Sequence, residues 1–306
     1  MVNLIQFLII CSSEDRASMN IRDKLLKSNM YKFEEKEYSW HNNHLFKLKT
    51  IVTENAEENQ LGKNDIFLGL TKDPLIFLND LKLELSPIKP DLLIFASRHT
   101  SKTERPAFLV HTTGNWTQKN DFGGEPQELS RTSAFLHKAG FISLIEQVSL
   151  MNYLDSSLDI EVTHHGPTIL EQPLIFMELG SSKADWVIDD AGELLANSII
   201  NTISKYLEYL ENGDQKVGLG FGGTHYSQNF NRLIQNNEVA MSMSFICPKY
   251  YIQTLNNHLI KKMIDNTYEN VDYFIIDWKG TNSEDKKYLI PLLEQFDIPI
   301  KKTKDF

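Results

Sequence analysis

Short apolar runs recur along the chain, each bounded by polar, Gly or Pro residues. The runs Leu4–Ile10, Phe46–Val52, Ile66–Leu70, Leu92–Ala96, Ala107–His111, Ile160–Thr163, Leu174–Leu179, Val217–Gly220, Val239–Cys247 and Val271–Asp277 are rich in aliphatic and β-branched residues. They read as buried strands. Helical patterns lie between them. Ser12 or Ser13 can cap a helix running through Leu25, with Lys24 and Lys27 at its end to suit the dipole. From about Asp190 to Leu210, Ala191, Leu194, Leu195, Ser198, Ile199, Thr202 and Ile203 share one face. Two more helices are predicted at Leu255–Ile264 and Ser283–Phe296, the second with Glu284 and Asp285 in its first turn. Such alternation predicts an α/β sheet covered on both faces.

One stretch breaks the pattern. Trp116–Arg131 is polar, carries Gly123-Gly124-Glu125-Pro126 and reads as a long loop of the functional kind. Thr53–Asn64 reads as a solvated surface turn. Lys301-Lys302-Thr303-Lys304 reads as a solvated basic end.

Composition narrows the class. A chain of 306 residues makes about two domains, or one large domain with an insertion. With 41% hydrophobic and 24% charged residues, wholesale disorder is excluded. No apolar run approaches the ~18 residues of a membrane span. The apolar start lacks the basic flank and small-residue site of a signal peptide, so it is expected to be a strand. Two cysteines, Cys11 and Cys247, cannot build a disulfide framework or an all-cysteine zinc site, and a reducing cytoplasm is expected. A net charge of −10 leaves no protein-wide field for nucleic acid, so any basic contact must be local.

The chemistry-bearing residues collect at strand ends, where open α/β folds bind ligands. His99, His111, His164, His165 and His225 each end or follow a predicted strand. Adjacent strand residues face opposite ways, so His164 and His165 can share a ligand only if Gly166-Pro167 breaks the strand. One imidazole could then bind metal while the other acts as base or orienter. Glu178 ends an apolar strand, where a buried carboxylate needs a metal, a cation or hydrogen-bond donors. Gly220-Phe221-Gly222-Gly223-Thr224-His225 offers backbone N–H groups to an oxyanion or phosphate, but it lacks the Lys-Ser/Thr of a P-loop. The loop Ser97–Pro106 gathers Arg98, Lys102 and Arg105 among hydroxyls, a local contact for an RNA backbone. Trp116 either stacks on a base or fills the core. Neither HExxH nor CxxC occurs, so a zinc site would draw on separate strand ends: His99, His164 or His165, Glu178 and His225.

The motifs Ser97-Arg98-His99-Thr100-Ser101, His111-Thr112-Thr113-Gly114-Asn115-Trp116, Thr163-His164-His165-Gly166-Pro167-Thr168, Glu178-Leu179-Gly180-Ser181-Ser182 and Gly220-Phe221-Gly222-Gly223-Thr224-His225-Tyr226 occur in this order. Together they resemble the archaeal and plant type of D-aminoacyl-tRNA deacylase over nearly the whole chain. The resemblance implies a phosphorylase/peptidyl-tRNA-hydrolase-like fold: a mixed sheet flanked by helices, with an inserted subdomain expected within residues 31–90. It implies hydrolysis of the ester between a D-amino acid and the terminal ribose of tRNA, a proofreading step, with zinc as cofactor.

On ester chemistry, His99, His164, Glu178 and His225 are expected to hold zinc, which makes water nucleophilic. The second imidazole of the His164/His165 pair is expected to take the proton, and the metal or the N–H groups of Gly222 and Gly223 to hold the oxyanion. Arg98, Lys102, Arg105, Lys249 and Trp116 are expected to grip the CCA end of aminoacylated tRNA. A monomer is the favoured oligomeric state. Two other readings stand beside this one: a phosphate-dependent nucleoside phosphorylase and a non-catalytic tRNA-binding protein.

Overall fold

The computed structural model describes residues 4–51, 60–102, 105–153, 155–236 and 238–306. In chain order, β1 is Gln6–Ser12, α1 Arg16–Lys27, β2 Tyr31–Trp40, β3 Asn43–Ile51, β4 Asp65–Thr71, β5 Leu92–Arg98, β6 Ala107–His111 and α2 Ala134–Leu150. Then come β7 Ser157–Ile160, β8 Leu174–Gly180, α3 Asp189–Asn212, β9 Lys216–Phe221, α4 Gln228–Gln235, β10 Met241–Cys247, α5 Asn257–Asp265, β11 Tyr273–Ile276, α6 Ser283–Leu293 and β12 Ile300–Lys302. Every predicted strand has a counterpart. Ile160–Thr163 is displaced: β7 stops at Ile160, and the next residues leave the ladder. Val52 lies outside the described residues.

The strands form two sheets. The larger has the order β2-β3-β4-β1-β5-β8-β6-β7 and is mixed. Its centre, β4-β1-β5-β8, is parallel, while β6 runs antiparallel to β8. Strand β1 is buried nearly throughout, as a central parallel strand covered on both faces requires. The smaller sheet, β10-β9-β11-β12, is wholly parallel. Helix α2 packs on α3 and touches both β6 and β10, so it joins the two sheets.

Residues 31–90, where an inserted subdomain is expected, supply the β2–β3 hairpin and β4 to one edge of the main sheet. Helix α1 begins later than predicted. Its cap is Asp15, whose carboxylate accepts from Ser18 N at 3.0 Å, while Ser12 is still in β1. Helix α3 ends at Gly213, which takes the left-handed conformation (φ 65°) that glycine tolerates. The basic run near residue 301 is not a frayed end: Lys301 and Lys302 pair with β11 as edge strand β12. Of the predicted turn Thr53–Asn64, residues 53–59 lie outside the described residues, and 60–63 form a 3₁₀ turn. Among the described residues, no helix is long and apolar enough to cross a membrane.

Candidate active site

Strands β5 and β8 run parallel in register, which sets Ser97 beside Glu178. The Ser97 hydroxyl donates to Glu178 Oε1 at 2.7 Å. His99 follows on from β5, its Nδ1 3.4 Å from Glu178 Oε2. Because β6 runs the other way, His111 enters from the opposite side, with Nε2 3.6 Å from Glu178 Oε1. Past the end of β7, Glu161 turns inward, completely buried, with His225 Nε2 2.7 Å from its Oε1. Its Oε1 also lies 3.6 Å from His99 Nδ1.

The His164–His165 pair is bent as the chemistry demands. His165 takes a left-handed conformation (φ 45°), breaking the strand alternation. Both rings then face one centre: His164 and His165 centroids lie 4.5 Å apart, and His111 lies 4.2 Å from His164 and 4.7 Å from His165. Close backbone packing supports this bend. A Cβ on Gly166 would meet Gly124 N at 2.2 Å, so the loop after Trp116 seats directly on the histidine turn.

Tautomers follow from the partners. A carbonyl can only accept, so the Nδ1–H of His111 donates to Thr112 O (3.1 Å), that of His164 to Val162 O (2.7 Å) and that of His165 to Gly166 O (2.6 Å). The Nε2 lone pairs of His164 and His165 are left for a cation, the usual arrangement of a metal-binding histidine, while His111 turns its Nε2 toward Glu178.

The protonation pattern splits the cluster. Burial and the neighbouring imidazoles hold His164 well below its ordinary pKa, and His165 is pushed down to about 4 for the same reasons. Burial would also lower His99 and His111, but the Glu178 and Glu161 carboxylates outweigh it and both are raised. Burial alone would raise Glu178; His111 and His99 reverse this and hold it well below the usual carboxylate range.

Several buried atoms here lack hydrogen-bond partners: both Glu161 carboxylate oxygens, His99 Nε2 and His111 Nε2. Donor atoms within 4.8 Å of one another form three overlapping sets: His111/His164/His165, Glu161/His164/His225 and His99/Glu161/Glu178. Imidazole and carboxylate donors with orphaned lone pairs fit zinc. Of the predicted ligands, His164 joins His225 in one set and His99 joins Glu178 in another. Glu161 and His111 were not predicted as ligands; Glu161 belongs to two of the sets and His111 to one, and His164 and Glu161 link the three.

The cluster floors a cleft of about 1220 Å³. Arg98 lines it, its guanidinium 5.3 Å from the Trp186 ring. Lys102 and Arg105 do not line it. Both are exposed on the preceding loop, and Arg105 Nε donates to Asp155 O. Lys249 is exposed beside Tyr250, which does line the cleft. Trp116 is only 2% exposed and donates Nε1–H to Thr163 O at 2.7 Å, so it is a packed wall and no base can stack on it. The aromatic rings free at the rim are Phe77, Phe122 and Tyr250. The predicted oxyanion donors are also spent. Gly222 N donates to Cys247 O (2.8 Å) and Gly223 N to Gly280 O (3.3 Å), tying neighbouring strand exits together.

A family model described as D-aminoacyl-tRNA deacylase matches residues 86–301. The D-aminoacyl-tRNA deacylase of Pyrococcus abyssi is 32% identical over 293 residues, covering 95% of this chain and 97% of that one. That of Methanococcus vannielii is 35% identical over 213 residues, covering 69% and 81%. The crystal structure of a conserved protein of unknown function superposes with a TM-score of 0.80 at 28% identity, covering 98% of this chain and 96% of that one. By motif order, family match and full-length similarity, the chain belongs to the D-aminoacyl-tRNA deacylase family.

Proposed function

We propose that this protein hydrolyses the ester joining a D-amino acid to the terminal ribose of tRNA, releasing free D-amino acid and reusable tRNA in the cytoplasm. The observation that carries this is Glu161: a fully buried carboxylate whose oxygens have no hydrogen-bond partner, ringed by imidazoles just beneath the His164, Glu178 and His225 lining of an open cleft. The cleft's 1220 Å³ exceeds the ~300–1,000 Å³ of common small-molecule sites, leaving room for an aminoacyl group and a terminal nucleoside. Glu178 in the lining and Glu161 just beneath it would repel an attacking phosphate, which speaks against the phosphorylase reading.

We assign cation binding to the sets His111/His164/His165 and His99/Glu161/Glu178, and leave His225, from the third set, out of the ligand shell as the proton-transfer group. Zinc held there would supply Lewis acidity for an ester carbonyl and a nearby water. The chain's own groups do the rest. Ser97 orients Glu178. The low basicity of His164 and His165 keeps them neutral with free Nε2 lone pairs, which suits ligation better than proton storage. His225 is the more exposed imidazole of the cluster and hydrogen-bonding distance from Glu161. It takes the proton from water and returns it to the departing ribose oxygen. Arg98 and the rim rings hold the CCA end.

The test is hydrolysis of D- and L-aminoacyl-tRNA carrying the same amino acid. Cleavage of the D-ester with the L-ester spared supports the proposal; equal rates, or no cleavage of either, overturn it.

A further inference from the structure

All four strands of the smaller sheet point their carboxyl ends the same way, so one edge displays four exits. The β10 exit carries Lys249 and Tyr250. The β9 exit leads through Gly222 and Gly223 to His225, in the catalytic cluster. The β11 exit carries Trp278 and Lys279, and the β12 end carries Lys302 and Lys304. Backbone hydrogen bonds fix these exits to one another: Lys249 N donates to Gly223 O (3.1 Å) and Gly223 N to Gly280 O (3.3 Å). The edge therefore runs unbroken from the cleft mouth outward. At ~4.8 Å per strand it spans three strand spacings.

Cations are organised along it. Lys286 and Lys302 place their ammonium groups 4.4 and 4.3 Å from the centre of the same Trp278 ring. Lys286 also donates to Trp278 O at 3.0 Å. Like charges sharing one indole repel each other, and an anion relieves the repulsion. Lys249, Lys279 and Lys304 are exposed. Among the described residues none of these five lysines is ion-paired, whereas Lys216, Lys261 and Lys262 nearby in sequence are. The acidic groups close by are largely engaged. Asp277 accepts from Asn229 and Gly280 N, Asp285 from Gln253 and Asn282, and Asp305 from Lys302 N; Glu284 is exposed. On a protein of net charge −10, this is a local concentration of unpaired cations continuous with the cleft.

We propose that the edge formed by Lys249, Lys279, Lys286, Lys302 and Lys304, with Trp278 between them, is a docking track for the acceptor-stem backbone of the tRNA whose 3′ end occupies the cleft. The proposal rests on the deacylase reading of the cleft. Phosphate contacts of this kind hold the substrate in register and carry no base information. They raise affinity for whole tRNA and leave the chemistry at the floor unchanged.

The test compares wild-type protein with the Lys279→Glu/Lys302→Glu double variant. The dissociation constant for deacylated tRNA is measured across salt concentrations, with D-aminoacyl-adenosine ester hydrolysis in parallel. The variant is expected to bind tRNA at least ~10-fold more weakly, with a log–log salt slope shallower by about two. Its hydrolysis of the small ester is expected to match wild type. An unchanged dissociation constant and slope would overturn the track. If the reversed charges disturb folding, the Lys279→Gln/Lys302→Gln pair carries the same comparison with a smaller shift. Failure of wild-type protein to cleave the small D-ester would instead count against the proposed reaction, while the binding comparison still decides the track.

Discussion

Two buried carboxylates of the same chain have opposite surroundings. Asp185, just beyond β8, accepts from Ser181 N (3.1 Å), Ser182 N (2.9 Å) and Ser182 Oγ (2.7 Å). Its charge is met by donors of its own loop, and it ties down the chain after Glu178. Glu161 is more deeply buried, yet neither oxygen has a hydrogen-bond donor in place; its neighbours are the rings of His99, His164 and His225. A carboxylate that the fold satisfies is holding the fold. One buried without donors raises the energy of the fold by a few kcal/mol until something positive arrives. The contrast separates scaffold from site without reference to any motif.

The contrast breaks first at Glu161. Glu161→Gln keeps the shape and removes the charge. Hydrolysis is expected to fall roughly 10³-fold, about 4 kcal/mol of transition-state stabilisation. Thermal stability of the metal-free protein is expected to hold or rise, and a clear loss would class Glu161 with Asp185.

A second effect concerns His137, on α2, fully buried, with Nδ1–H donating to Met243 O. Burial, chiefly, pushes it down to about 4. The unfolded chain takes this proton near the ordinary imidazole value of 6.5, and the folded chain resists until about 4. The associated stability is complete above pH 6.5 and lost as pH falls to 4, by up to about 3 kcal/mol. His137→Gln is expected to flatten the unfolding free energy against pH in that window by as much as ~1.4 kcal/mol per pH unit. Identical profiles for variant and wild type would refute this.

The smallest effect is at Asp185. Asp185→Asn is expected to cost about 1–3 kcal/mol in chemical denaturation, with the folded fraction still hydrolysing substrate. Loss of activity without loss of stability would erase the distinction from Glu161.

Much of this was legible in the sequence because apolar runs bounded by polar residues mark buried strands, and the histidines sat at their ends. Helix α2 was not legible. It is buried on nearly every side between β6, β10 and α3, so its apolar residues show no helical period. Strand β2 escaped because its outer half, Glu34–Ser39, alternates half-buried and exposed positions filled mostly by charged residues, with little apolar content. Glu161 was hidden by register: reading Ile160–Thr163 as strand made it an ordinary strand residue, whereas it lies just beyond the ladder and turns inward. Its spacing of three from His164 was the available signal. Trp116 and the Gly222-Gly223 pair had the right chemistry for stacking and for an oxyanion, but their N–H groups were already bound, and only three-dimensional accounting of donors could reveal that.

In the proposed reaction the imidazole–carboxylate cluster acts through a bound cation. The most direct test is the rate of D-aminoacyl-tRNA hydrolysis by exhaustively chelated protein, before and after zinc is restored. Activity is expected to vanish on chelation and to return with stoichiometric zinc. Undiminished hydrolysis by protein shown to be metal-free would contradict it.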